Sequence, residues 1–182
     1  QAILDATMLY VGKGVVRYRR SAMLATARTP DLPVVTDAYG RLRDGTLGQD
    51  PDDILVLLRP TAPFRRPEEI RQVAEILQHD RRFDSVRSVV PAHESPQKTY
   101  LEAGFAKGRD DLARHPLLEP ATGRHHRANH PRQWLQAAWK AVGFIDCVRA
   151  SVLLGLDSLE GDVIVGWPAP TDRALDLDTE AD

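Results

Sequence analysis

The chain has a single cysteine, Cys147, in 182 residues, which excludes an intrachain disulfide and any CxxC zinc or redox site. Its apolar runs fall far short of the roughly 20 residues that cross a bilayer, and no basic stretch followed by an apolar core marks its amino terminus as a targeting segment. Charge of one sign is missing too. With 24 basic and 26 acidic side chains, the formal net charge of -2 offers no global electrostatic reason to bind nucleic acid, and at 6% aromatic residues there is no interleaved stacking surface. Neither a GxxxxGK[ST] phosphate loop nor a GxSxG nucleophile elbow is present. The expectation is a soluble, cytoplasmic protein with no nucleic-acid and no membrane partner.

Of what is present, Asp53 to Ile70, DILVLLRPTAPFRRPEEI, says most. Ile54 to Leu58 is a continuous apolar run without polar alternation, the pattern of a parallel, central strand covered on both faces. Pro60 and Pro63 end the ladder, which puts Arg59, Thr61, Arg65 and Arg66 beyond the strand's carboxyl end. In open α/β sheets that crevice is the usual ligand site. Pro67, Glu68 and Glu69 suit a helix start, and Ile70, Val73, Ala74 and Leu77 form its buried stripe.

Ile3, Leu4, Met8 and Val11 share a helical face before Gly12 and Gly14, and Val15 to Tyr18 reads as a short strand. Asp31 to Arg43 reads as a helix with Leu32, Val35, Ala38, Tyr39 and Leu42 on its apolar side. Val86 to Val90, Gly143 to Val148 and Val163 to Trp167 read as strands, with a short helix from Arg149 to Leu156 between the last two. Pro96 to Arg132 lacks periodicity and reads as an excursion from the core. Strands separated by helices predict a parallel or mixed α/β sheet.

Asp176 and Asp178, in ALDLDTEAD, place two carboxylates on one side of an extended segment. Such a pair suits magnesium, which takes one or two carboxylates plus phosphate oxygens; the alternative is an acidic, solvated chain end. Lys98 and Arg132 sit just after prolines, where stiff backbone could hold them against an anionic ligand, and arginine adds a planar fork. Ordinary loop cations are the alternative. His126 and His130 have the spacing of helical metal ligands, but without an HExxH glutamate or a nearby cysteine the histidine tract reads as structural or surface.

Taken in order and spacing, LLRPTAPFRRPEEI, DSVRSVVP, SPQKTY, NHPRQWLQAAWKAVGFIDCVR and ALDLDTEAD resemble the acylneuraminate cytidylyltransferases, the CMP-nonulosonic (CMP-sialic) acid synthetases. RRSAMLATARTPDLPVV resembles that family's RPAELA segment, so the likeness runs from about Arg20 onward. It implies an α/β fold of the nucleotide-diphospho-sugar transferase, Rossmann-like type with a mixed sheet. Residues 1–182 would form one amino-terminally truncated cytidylyltransferase-like domain, and 98–131 a protruding dimerisation excursion. It implies transfer of CMP from CTP to a sialic-acid-like nonulosonic acid with pyrophosphate release, the anomeric hydroxyl attacking the α-phosphate while Mg2+ offsets the developing charge. By position, Asp176 and Asp178 match the catalytic and metal-binding aspartates. Lys98 and Arg132 match residues that meet the sugar acid, Arg59, Thr61 and Gln133 flank that pocket, and Arg20 lies near the nucleotide. The implied partners are CTP, the sugar acid and a second copy of the chain, as a homodimer or higher homo-oligomer.

The departures define the alternative. The family's opening strand and its RGGSKG-type loop around the CTP phosphates have no counterpart here, Ala27 and Arg28 replace an aspartate and threonine, and Val142 stands where asparagine commonly precedes glycine. The alternative reading is a non-catalytic truncated homologue, a binding or oligomerisation module that keeps the sugar half of the pocket.

Overall fold

In the computed structural model the described residues are 18–26, 28–45, 50–105, 116–123, 129–175 and 177. The expected helix over 3–11, residues 15–17 of the strand expected over 15–18, Ala27, and both aspartates at 176 and 178 lie outside this set, and Tyr18 is described outside any strand.

Helix α1 spans Asp31–Gly45, with Asp31 in its first turn, where a carboxylate suits the positive end of the dipole. The expected stripe is real. Tyr39 is 6% exposed and packs with Ala150 and Leu153, and Leu32, Val35, Leu55 and Leu159 close around them. The Tyr39 hydroxyl donates to Asp53 Oδ2 at 2.9 Å, so the aromatic body is buried while its polar tip is satisfied. The side chain of Leu42 lies outside the described set.

Strand β1 is Ile54–Leu57, helix α2 Pro67–His79, strand β2 Ser85–Pro91, strand β5 Trp139–Arg149, helix α3 Ala150–Leu156 and strand β6 Ile164–Pro168. Between β2 and β5, strands β3 (Tyr100–Phe105) and β4 (Pro116–Pro120) form a sheet of their own. The larger sheet has the order β1-β5-β2-β6. It is mixed: Ala169 N donates to Val89 O and Asp84 N to Val163 O, so β2 and β6 run together. By contrast Arg149 N pairs with Asp84 O while Ala92 N pairs with Ala138 O, so β5 runs against β2.

The Ile54–Leu58 run predicts a parallel, central strand covered on both faces, yet among the described residues β1 is an edge strand beside the antiparallel β5. Val56 and Leu58 are 36% and 45% exposed. An unbroken apolar run signals a demand for burial, but it cannot specify which neighbour meets that demand.

By proximity the residues group into two units that interleave along the chain. The first comprises residues up to Val56, Ala74–Ser85 and Cys147–Ile164, and contains the Tyr39 cluster. Its other anchor is Arg149, only 8% exposed, whose guanidinium donates to the carbonyls of Leu77, Asp80 and Phe83. A buried cation thereby satisfies carbonyls left over at the carboxyl end of α2, where the dipole also favours positive charge. α3 ends as its sequence allows, at Asp157 in the left-handed region with φ 47°.

The second unit comprises Leu57–Val73, Val86–Asp146 and residues from Val165 on. It holds the RPTAP loop, most of β2 and β5, and the β3–β4 hairpin. In the hairpin Tyr100 faces Pro120, Leu101 faces Glu119 and Glu102 faces Leu118, before a register shift between Glu102 and Gly104. The described part of the expected excursion thus includes an antiparallel ribbon.

Candidate ligand site

Two groups of residues in the second unit have the chemistry of a site. The first surrounds a pocket of about 360 Å3. Pro91 ends β2 and Pro131 precedes a short 3-10 turn, Arg132–Trp134, and neither proline has an N–H to give to a ladder. Ala92 N donates to Ala138 O at 2.9 Å and ties the walls together. Ser95, Arg132, Gln133 and Gln136 supply the polar lining, with Ala92 and Leu135 among the apolar groups. Arg132 Nη2 donates to His93 O at 2.8 Å, which anchors one prong of an otherwise long and flexible side chain.

The structure therefore brings Arg132 and Gln133, both singled out from the sequence, to one concavity. Lys98 is exposed and closes a 3-10 turn, Pro96–Lys98, whose preceding residue is the pocket-lining Ser95. Ser95 and Gln136 were not anticipated; a serine and a glutamine in loops give no signal without a known wall to place them on.

The second group is at the RPTAP loop. Asp146, in the middle of β5, is 2% exposed. A carboxylate buried to that degree must be paired and hydrogen-bonded. Arg59 Nη1 donates to its Oδ2 at 2.7 Å, Ser88 N and Oγ donate to Oδ1 at 3.2 and 3.3 Å, and Arg87 Nη2 lies 3.6 Å from Oδ2. Ser88 Oγ in turn accepts from Ile145 N at 2.9 Å. Arg65 stands beside this group: its Nε donates to Phe144 O, its Nη2 to Arg59 O, and its guanidinium lies 5.8 Å from the Phe144 ring centroid. Burial, and then the nearby positive charge of Arg59, lower the Arg65 pKa, with Asp146 opposing them.

Arg59 thus comes from the loop as expected, and its guanidinium is held by Asp146. Gly143 makes this possible: it sits at φ +60°, and a Cβ there would lie 2.8 Å from Arg59 Nη1. Asp146 was missed in the sequence, although an aspartate inside the apolar run GFIDCV is itself a signal that a buried cation faces it.

Thr61 O accepts from Leu177 N at 2.8 Å, so the segment after β6 returns to the RPTAP loop. Arg173 holds that return in place: it makes a two-pronged ion pair with Glu69, 3.0 Å for Nη1 to Oε2, and donates to Phe64 O. Glu69 Oε2 also accepts from Arg66 N at 2.8 Å, and these partners, Arg173 foremost, lower the Glu69 pKa.

Arg20 is exposed and belongs to the first unit. Asp176 and Asp178 lie outside the described residues, and among the described residues no group of three or more His, Cys, Asp or Glu could hold a metal. Of the histidine tract only His130 is described; it meets the exposed Trp134 edge-on at 6.2 Å. No described helix is long and apolar enough to cross a membrane. No protein-family model matches the chain, and no curated protein matches it.

Proposed function

We propose that the chain is a cytidylyltransferase-like protein that transfers CMP from CTP to a nonulosonic acid, with the acidic sugar held in the Arg132–Gln133 pocket. The observation that supports this is the convergence of those two residues on one concavity of about 360 Å3 with mixed polar and apolar walls. That volume falls in the roughly 300–1,000 Å3 range of small-molecule sites. An arginine fork suits the sugar carboxylate, and Gln133, Gln136 and Ser95 offer donors and acceptors for its hydroxyls. Asp176 and Asp178 are the proposed holders of Mg2+, which supplies charge stabilisation at the α-phosphate when bound. CTP and the sugar acid are the proposed partners, with a homo-oligomer as the working assembly.

The test is a pyrophosphate-release assay with CTP, Mg2+ and a panel of nonulosonic acids, run beside calorimetric titration of each sugar. Arg132→Gln is expected to weaken sugar binding about tenfold or more, the value of a charged hydrogen bond. Sugar affinity unchanged by that substitution refutes the pocket assignment. A second reading, sugar binding without turnover, is favoured by Ala27 and Arg28 standing where the resemblance calls for an aspartate and a threonine. It predicts a sugar titration with no pyrophosphate released.

A further inference from the structure

We infer that the Arg132 pocket selects its ligand by an apolar floor: the bound acid sets its carboxylate on Arg132 and turns a methyl or methylene group, where a hydroxyl could stand, toward Ala92, Leu135 and Ala138. The observation is how the lining divides by depth. Its half-buried members are Ala92, Ser95, Leu135 and Ala138, whereas Arg132 and Gln133 are exposed. Charge and amide therefore stand at the mouth, and the deeper part is apolar except for one serine.

That serine offers little to a ligand hydroxyl. Ser95 Oγ donates to Gln97 Oε1, which commits its hydroxyl hydrogen. Two backbone N–H groups of the floor are occupied as well: Ala92 N donates to Ala138 O at 2.9 Å and Leu135 N to Arg132 O at 3.2 Å. A hydroxyl pushed against this surface loses water and finds few partners, which is costly. A methyl group in the same place gains by leaving water. Arg132, held by His93 O, keeps the carboxylate at the rim and so fixes which end of the acid turns inward. Hydroxyls elsewhere on the ligand stay at the mouth, beside Gln133. The inference deepens the proposed reading of this pocket as a sugar-acid site and rests on it for the choice of sugars, but the apolar floor is independent of what the chain catalyses.

The experiment titrates the full chain, by calorimetry and ligand-observed NMR, with pentanoate and its hydroxyl-ended isostere γ-hydroxybutyrate. Beside them run pairs of nonulosonic acids that differ in one substituent, methyl against hydroxymethyl or acetamido against hydroxyl. Pentanoate is expected to bind about threefold or more tighter than its isostere, as burial of one methyl-sized group implies, and the apolar member of at least one sugar pair likewise. Leu135→Ser should remove most of that preference, while Arg132→Gln weakens all the acids alike. Ala138→Ser, a smaller change that covers the case in which Leu135→Ser fails to fold, should do the same by placing a hydroxyl on the floor. Discrimination between the simple acids with no sugar bound supports the apolar floor and refutes the sugar-acid reading. Equal affinity within every pair, a preference unchanged in both floor variants, or no acid bound at all overturns the inference.

Discussion

Gly143→Ala tests the geometry of the RPTAP loop most directly. At φ +60° an alanine costs about 1–2 kcal/mol in backbone strain. Its Cβ would also stand 2.8 Å from Arg59 Nη1 and 3.3 Å from Arg59 Cδ, so the arginine must move. Moving it breaks the 2.7 Å bond to Asp146. Asp146 keeps Ser88 and the more distant Arg87, so the further loss is that of one charged hydrogen bond, about 1.5–3 kcal/mol. The total expected from urea unfolding is about 2.5–5 kcal/mol. In an Arg59→Ala background the steric part disappears, and the same substitution should cost only about 1–2 kcal/mol. The double-mutant cycle therefore carries a coupling of about 1.5–3 kcal/mol between positions 59 and 143. An equal cost of Gly143→Ala in both backgrounds would refute the close packing of Arg59 on Gly143.

Other perturbations follow from the same reasoning. Arg149→Met removes the guanidinium from three carbonyls; a loss of about 3 kcal/mol or more is expected by denaturant unfolding, and a loss below about 1 kcal/mol would show that water replaces it freely. Gly161→Ala puts a Cβ 2.5 Å from Asp84 Cβ, at φ +70°, and disturbs the carboxylate that accepts from Asp162 N and Val163 N; a drop in Tm is expected, absent if the turn simply shifts. Glu69 has a folded-state pKa below its unfolded value, so its contribution is present at neutral pH and is lost as pH falls from the unfolded pKa through the folded one. Glu69→Gln should flatten the acid limb of the stability profile, and an unchanged limb would show that the Arg173 pair contributes nothing.

Local features were the legible ones. Pro67, Glu68 and Glu69 announce the start of α2, and Val73 and Leu77 are both fully buried, as a helical stripe demands. β5 is legible only at its apolar end: Gly143 to Val148 is expected, but the strand begins at Trp139 and runs through exposed Trp139, Lys140 and Ala141 and half-buried Val142, which show no strand pattern. Arg132 and Gln133 were found from the resemblance and from stiff backbone. Asp146 was hidden because it sits in an otherwise apolar run, where periodicity records the majority and ignores the exception.

The sequence by itself determined where α1, α2 and the apolar parts of β1, β2 and β5 lie, because proline, glycine and the spacing of apolar residues act over a few neighbours. It also excluded a disulfide within these residues, since one cysteine cannot pair with itself. Only the tertiary structure decided that β1 lies beside an antiparallel strand, that Arg59 is held by Asp146, and that Arg149 closes the end of α2. The physical reason is distance along the chain. Residues 59 and 146, or 77 and 149, meet only once the sheet has formed, and a charge read from sequence shows neither its partner nor how much water it keeps.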